Sequence, residues 1–219
     1  MAFTLIELLV VIAIIGVLAS LIVGLSSYSA RKSKESRIRT ELNQLVTAIE
    51  SYHARFGHYP KDNVANKVPL VVNPVTNALF YELGGTVLDN AAGVFRTREG
   101  QETINVTDIQ AYFNVEGFVN SSTDPKQVKS FTTFKKKQYE DLFLNAAPDV
   151  ELLVVPVAWP LKPSAPPPPI PSRPGLNPWR YVSTSPTNNP TTFDLWAEYV
   201  DGNRIRIICN WSKDILEKQ

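Results

Sequence analysis

The chain has a single cysteine, Cys209, so no disulfide can close within it. Packing, assembly or an ion must hold the fold instead. Cys209 lies in the apolar run Ile205-Arg206-Ile207-Ile208-Cys209, has no base beside it in sequence, and reads as a small buried hydrophobe. There are two histidines, His53 and His58, and they stand five apart rather than at the i, i+4 spacing of a helical metal pair. Net charge is +1, too small for a global field that would recruit nucleic acid. The chain has no glycine-rich phosphate loop, no dinucleotide fingerprint and no G-x-S-x-G elbow. These absences remove the usual handles of nucleotide, metal and serine chemistry, and the expectation is a protein that is not an enzyme.

What the chain does have is an apolar head start. Leu8 to Leu25 is a run of 18 residues without charge. As a helix at about 1.5 Å per residue it is roughly 27 Å long, close to the ~30 Å hydrocarbon core of a bilayer. One acid, Glu7, stands at its head. A carboxylate at that place is a functional-site hypothesis whose partner must be named. The plainer reading of Glu7 is an acid favoured by the macrodipole of a helix N-terminus. The run is longer than the apolar core of a signal peptide, and no basic segment precedes it.

The helix is expected to continue well past the run. Ile38, Leu42, Leu45, Ile49, Tyr52 and Phe56 are spaced 4, 3, 4, 3, 4, a stripe on one helical face. Gly57, followed by Tyr59-Pro60, is the stop signal. One helix over residues 3–56 would reach roughly 80 Å, apolar all round at first and amphipathic later. Gly16 and Gly24 are weak points in its first half. Arg31, Lys32, Lys34, Arg37 and Arg39 follow the apolar run, against Glu35 alone. They read as a solvated face, or as a contact with anionic lipid or with acidic surfaces of neighbouring subunits.

The stretch Phe3-Thr4-Leu5-Ile6-Glu7-Leu8-Leu9-Val10-Val11-Ile12-Ala13-Ile14-Ile15-Gly16-Val17-Leu18-Ala19 resembles the N-terminus of type IV pilins and of the pseudopilins of type II secretion. Residues 42–60, ending in Phe56-Gly57-His58-Tyr59-Pro60, resemble the first helix of the major pseudopilin. Asn177-Pro178-Trp179, Phe193-Asp194-Leu195 and Asn210-Trp211 resemble its tail. The resemblance implies an α+β pilin fold: a long N-terminal helical stalk packed on a C-terminal globular head with a small antiparallel sheet. It also implies cleavage by a prepilin peptidase between Ala2 and Phe3, and N-methylation of Phe3. Glu7 would pair with the Phe3 amine of a neighbour as subunits enter a helical homopolymer, with Thr4 beside them. Ala2 stands where the family has glycine, and the leader is only Met1-Ala2, so the start is expected to be truncated or misassigned.

By the same resemblance the chain is a structural subunit of a type II secretion pseudopilus. The alternatives are a type IV pilus subunit for adhesion, motility or DNA uptake and, more distantly, a membrane-tethered binding protein or hydrolase that never polymerises. Other pseudopilins, an inner-membrane assembly platform and membrane lipid would be its partners, and no nucleic acid is expected. It would cross the bacterial inner membrane once, with its head outside the cytoplasm, against the naive positive-inside reading of the basic cluster, and would end in a periplasmic or extracellular filament.

The expected parts are a leader remnant (1–2), a transmembrane and filament-core helix (3–25), an amphipathic helix (26–56), a variable αβ region (57–150), a strand plus proline-rich loop (151–178) and a C-terminal antiparallel sheet (179–219). Within the variable region, Pro74–Leu83 reads as a short helix stopped by Gly84-Gly85, and Gly93–Thr97 as a strand. Thr107 reads as the cap of a helical turn through Tyr112, and Phe131–Phe143 as a helix or an edge strand. Glu151–Trp159 reads as a strand ended by Pro160. Ten of the 17 prolines lie between Pro156 and Pro178, in a stiff surface loop or a docking arm. Three strands are expected at Trp179–Ser183, Thr192–Tyr199 and Arg204–Ile208, with Asp201-Gly202 turning the last two into a hairpin. No cofactor is expected beyond one candidate ion that the resemblance brings in, calcium, with Asp194, Asp201 and Asp214 as the acids to examine. The dense acidic loop of the family is missing, and calcium takes six to eight oxygens.

Overall fold

A computed structural model describes residues 4–100, 102–144 and 146–218 of the chain, with the side chains of residues 21–27 outside the description. Ala2 and Phe3, and with them the expected cut and methylated amine, lie outside the described residues. The chain divides into two compact units, residues 1–37 and 38–219. The fold class is α+β.

Helix α1 (Leu5–Phe56) is unbroken for 52 residues, through both Gly16 and Gly24. Within the second unit its apolar stripe does what the spacing requires: Ile38, Leu42, Leu45, Ile49 and Tyr52 are all at most 4% exposed, and Ala48 joins them. Phe56 packs at the edge of this core, its ring 4.6 Å from that of Tyr52. The helix ends where glycine allows it. Gly57 takes φ +77°, and its N–H donates to the His53 carbonyl at 2.8 Å.

The C-terminal sheet is larger than the sequence suggests. Strands β9 (Arg180–Val182), β10 (Asp194–Asp201), β11 (Arg204–Cys209) and β12 (Leu216–Glu217) lie in the order β12-β11-β10-β9, all antiparallel. The β10–β11 hairpin turns through Gly202 at φ +65°, with Asp201 opposite Arg204. The edge strand β12 has two residues, too few to leave a periodic signal.

Residues 63–153 hold three more sheets' worth of short strands in place of the sparse region expected. Strands β1 (Asn63–Lys67) and β2 (Leu70–Asn73) form a bulged hairpin. Helix α2 (Leu79–Gly84) follows, then β3 (Thr86–Asp89), β4 (Val94–Thr97), β5 (Thr103–Asn105), helix α3 (Val106–Phe113) and β6 (Ser121–Ser122). These strands form a mixed sheet in the order β5-β4-β3-β6, with β6 parallel to β3. Strands β7 (Tyr139–Asp141) and β8 (Glu151–Leu153) pair antiparallel.

Several expected boundaries move, each for a local reason. Helix α2 starts at Leu79 rather than Pro74, because the Asn73 side chain accepts the N–H groups of Val75 and Thr76 in a turn. Helix α3 begins after Asn105 rather than at Thr107; Asn105 makes no side-chain bond to the helix backbone, and its Nδ2 donates to the Asp108 carboxylate at 2.9 Å. The segment 131–143 is neither a helix nor one strand, since only Tyr139–Asp141 is paired. The strand expected at 151–159 stops at Leu153, with one further bridge from Val154 to Pro178, before Pro156 interrupts the donors. Gly85 is obligatory: it takes φ +79°, and an added Cβ would sit 2.5 Å from Val128 Cγ1 and 2.8 Å from the Lys129 carbonyl.

Candidate functional site

The N-terminal unit begins with a reciprocal cap. Thr4 precedes the first helical residue, and Glu7 lies three residues on. The Thr4 N–H donates to Glu7 Oε2 at 2.9 Å, the Thr4 hydroxyl donates to the same oxygen at 2.7 Å, and the Glu7 N–H reaches Thr4 Oγ1 at 3.4 Å. This is the capping box that the T-x-x-E spacing permits, with two orphan donors of the helix start satisfied by side chains. The macrodipole reading of Glu7 found the place but missed Thr4 as its partner. The signal was in the sequence, as Thr-x-x-Glu before an apolar run.

Beyond the cap, the helix offers apolar surface on every side. Leu5, Ile6, Leu8, Leu9, Val10, Val11, Ile12, Ile14, Ile15, Val17 and Leu18 are 47–82% exposed. Isolated exposed aliphatics are ordinary, but this many in contiguous turns is the mark of an interaction surface. Gly16 belongs to that surface, and an added Cβ there would meet nothing within 4 Å. Among the described residues no helix is long and apolar enough to cross a membrane. The apolar run read from the sequence extends through positions 21–25, whose side chains are not described.

The basic cluster that follows is partly engaged. Arg31 and Lys32 each pair with Glu35 at 3.2 Å, from i,i+4 and i,i+3 positions. Lys34 and Arg37 are exposed, as is Tyr28, over whose ring Lys32 sits at 6.0 Å. In the second unit Arg39 donates to the Lys213 carbonyl at 2.6 Å, tying the helix to the C-terminal segment.

The candidate calcium acids are not brought together. Asp194 and Asp201 stand at the two ends of β10, roughly 23 Å apart at ~3.3 Å per residue. The Asp194 carboxylate is buried and already accepts the backbone N–H groups of Asn188 and Asn189 and the Asn188 side chain, each at 2.9 Å. Asp201 pairs with Arg206 at 3.9 Å, and Asp214 is exposed. Among the described residues no group of three or more His, Cys, Asp or Glu side chains is placed to hold a metal. Cys209 is free and buried, and burial pushes its thiol above the ordinary range, away from nucleophilic use. His53 stacks on Tyr59 with ring centroids 4.3 Å apart.

Sequence reasoning missed the buried carboxylates of the head. Glu82 on α2 accepts the N–H groups of Val119 and Asn120 at 2.9 and 3.0 Å and the Tyr52 hydroxyl at 3.1 Å. Burial nevertheless pushes its carboxyl above the usual range. Glu151 on β8 is 5% exposed, and its acid is pushed up to about 7 by burial and by the nearby Glu102 charge. Glu198 is shared between Arg180 at 3.4 Å and Lys218 at 3.0 Å, with both Arg180 and Glu198 buried. Nothing in local sequence marks a carboxylate as buried, because distant chain does the burying. The proline-rich loop is pinned rather than loose: Trp159 is buried, its indole N–H donates to the Pro166 carbonyl at 2.9 Å, and its backbone N–H donates to the Gly175 carbonyl at 3.0 Å.

No family model matches the chain, no curated protein matches it, and no solved structure matches it.

Proposed function

We propose that the chain is a non-enzymatic structural subunit with a pilin fold, inserted in a bacterial inner membrane by residues 3–25 and drawn from there into a helical filament. The observation that carries the reading is the continuous apolar surface from Leu5 to Leu18, headed by the charged Glu7. An all-round apolar helix has two stable fates, lipid or a bundle of its own kind. A carboxylate at its head favours the second, because a bundle can bring a cation to it. In this reading the cation is the Phe3 amine of a neighbouring subunit, set free by a prepilin peptidase cutting after Ala2 and then methylated. Both Thr4 bonds use Glu7 Oε2, which leaves Oε1 for the incoming ammonium. The cap therefore aims the acid and does not compete with the pair.

In this reading residues 3–25 form the core of the filament. The resemblance of residues 42–60 and of the Trp-bearing tail to the major pseudopilin favours a secretion pseudopilus, with other pseudopilins and an inner-membrane platform as partners. Filament length separates that assignment from a type IV pilus.

Replacing Glu7 with Val tests the reading. Filament yield is expected to collapse while the amount of membrane-inserted protein stays unchanged. Normal filaments from the variant would remove Glu7 from assembly and leave a tethered, non-polymerising protein as the better account. Mass spectrometry of the assembled protein tests the other half of the pair, with an N-methylated Phe3 terminus expected and an intact Met1-Ala2 terminus ruling it out.

A further inference from the structure

The apolar run does not give way to neutral chain. Six to twelve residues past its last residue, Leu25, come Arg31, Lys32, Lys34 and Arg37. Glu35 is the sole acid among them, and it is 4% exposed. Arg31 and Lys32 each reach it at 3.2 Å, yet their own side chains stay 44% and 56% exposed. Lys34 and Arg37 are exposed. The charge that this stretch shows to its surroundings is therefore positive.

The height of the cations along the helix suits a membrane surface. At ~1.5 Å per residue, Arg31 lies about 9 Å and Arg37 about 18 Å beyond Leu25. Helical side chains lean toward the N-terminus, so these long stems lean back toward the apolar segment. Lysine and arginine can cover such a distance while keeping the charged end in water. Tyr28, 63% exposed, stands between the run and the cations, with Lys32 Nζ 6.0 Å from its ring centroid. A side chain with an apolar body and a polar tip fits the boundary between hydrocarbon and water.

The spread of the cations around the helix narrows the partner. At about 100° per residue, Arg31, Lys32, Lys34 and Arg37 fan over about 220° of the circumference. Ser29, Ser33 and Ser36 occupy the rest, all of them exposed. An acidic protein surface would touch one side of the helix, whereas a bilayer surface rings it. From this arrangement we infer that residues 28–37 are a docking surface for anionic phospholipid headgroups, whose phosphates meet Lys34, Arg37 and the exposed parts of Arg31 and Lys32. The inference rests on the reading of residues 3–25 as a membrane segment. It adds selectivity to that reading, because an apolar run is indifferent to headgroup charge and this stretch is not.

Electron paramagnetic resonance on the full chain, reconstituted in phosphatidylcholine bilayers with a trace of spin-labelled lipid, tests the inference. Lipid held against an inserted helix gives an immobilised component, and its size compares one headgroup with another. Spin-labelled phosphatidylglycerol is expected to associate about fivefold more strongly than spin-labelled phosphatidylcholine, the effect of about one cation near the surface. Salt at about 1 M, with a screening length of about 3 Å, should bring the two lipids level. Lys34→Gln combined with Arg37→Gln should cut the preference by about half or more, and exposed positions of this kind tolerate substitution. Immobilised lipid without preference for phosphatidylglycerol would overturn the inference and leave the insertion standing. In that case, loss of crosslinking between subunits in the double variant would assign the cluster to an acidic protein surface. No immobilised lipid of either kind would remove the membrane segment and the docking surface with it. A preference that survives both high salt and the double substitution would place the lipid contact elsewhere and overturn the inference equally.

Discussion

The two units handle opposite problems. Residues 4–20 display leucine, isoleucine and valine at about half exposure or more, with their one acid at the tip. The head buries Glu82, Glu151, Glu198 and Arg180 inside a core of aromatic side chains. In the first unit the apolar groups are exposed, and in the second most buried polar groups have hydrogen-bond partners, with Thr86 Oγ1, Glu151 Oε2, Arg173 Nε and Arg206 Nε lacking one among the described residues. The second unit therefore has a core of its own, while the N-terminal helix carries an apolar surface that, in the function proposed above, lipid or an assembly covers. Damage to the head should show as loss of stability, and damage to the helix as loss of insertion or polymerisation with the head intact.

The largest expected effect lies in the head. Glu198→Ala leaves the Arg180 guanidinium buried without its counter-charge, and should destabilise the head by about 3–5 kcal/mol in denaturant melts without reducing membrane insertion. Wild-type stability in that variant would mean that water reaches Arg180. The mirror-image change is Ile12→Asp. It should lower the membrane-inserted fraction by about 100-fold, from a cost of ~2.5–3.5 kcal/mol, while the head melts as before. A head that melts earlier would blur the division between the two units.

A third effect separates burial from pairing within the head. The Glu151 acid is raised from 4.5 to about 7 in the folded protein, so the folded state holds its proton more tightly than the unfolded state. The stabilising contribution is fully present below about pH 4.5 and is lost as the pH rises through about 7. Glu151→Gln should therefore melt higher than the wild type at about pH 8, and the gap should narrow as the pH is lowered. A constant gap across that range would place the acid in a solvated setting. The smallest effect is at the helix tip, where Thr4→Ala removes the cap and should lower helix stability by about 1 kcal/mol, read as fraying of the first turn by hydrogen exchange.

The same contrast explains what the sequence made legible. The helix over residues 5–56 was readable because its stripe repeats at 3.6 residues and Gly57 ends it. The apolar run and Glu7 were readable because a membrane-length segment without charge is rare in soluble chains. The hairpin at Gly202 was readable from its turn chemistry. The mixed sheet β5-β4-β3-β6 was not, because its strands of two to four residues are too short to alternate visibly. Asp194 looked like an available ligand, but its carboxylate is already taken up by Asn188 and Asn189 six and five residues before it. Glu151 looked like the start of a strand. Its unmet oxygen comes from a ladder with β7 and from a loop more than twenty residues later in the chain.

The central claim is that Leu5 to Leu18 is exposed only in the isolated subunit. Cryo-electron microscopy of the assembled protein tests it most directly. The account predicts a filament whose axis is a bundle of these helices, with each Glu7 carboxylate in ion-pair distance of a neighbour's N-terminal nitrogen. A filament with the heads at its centre and these apolar helices facing solvent or absent from the contacts between subunits would contradict it.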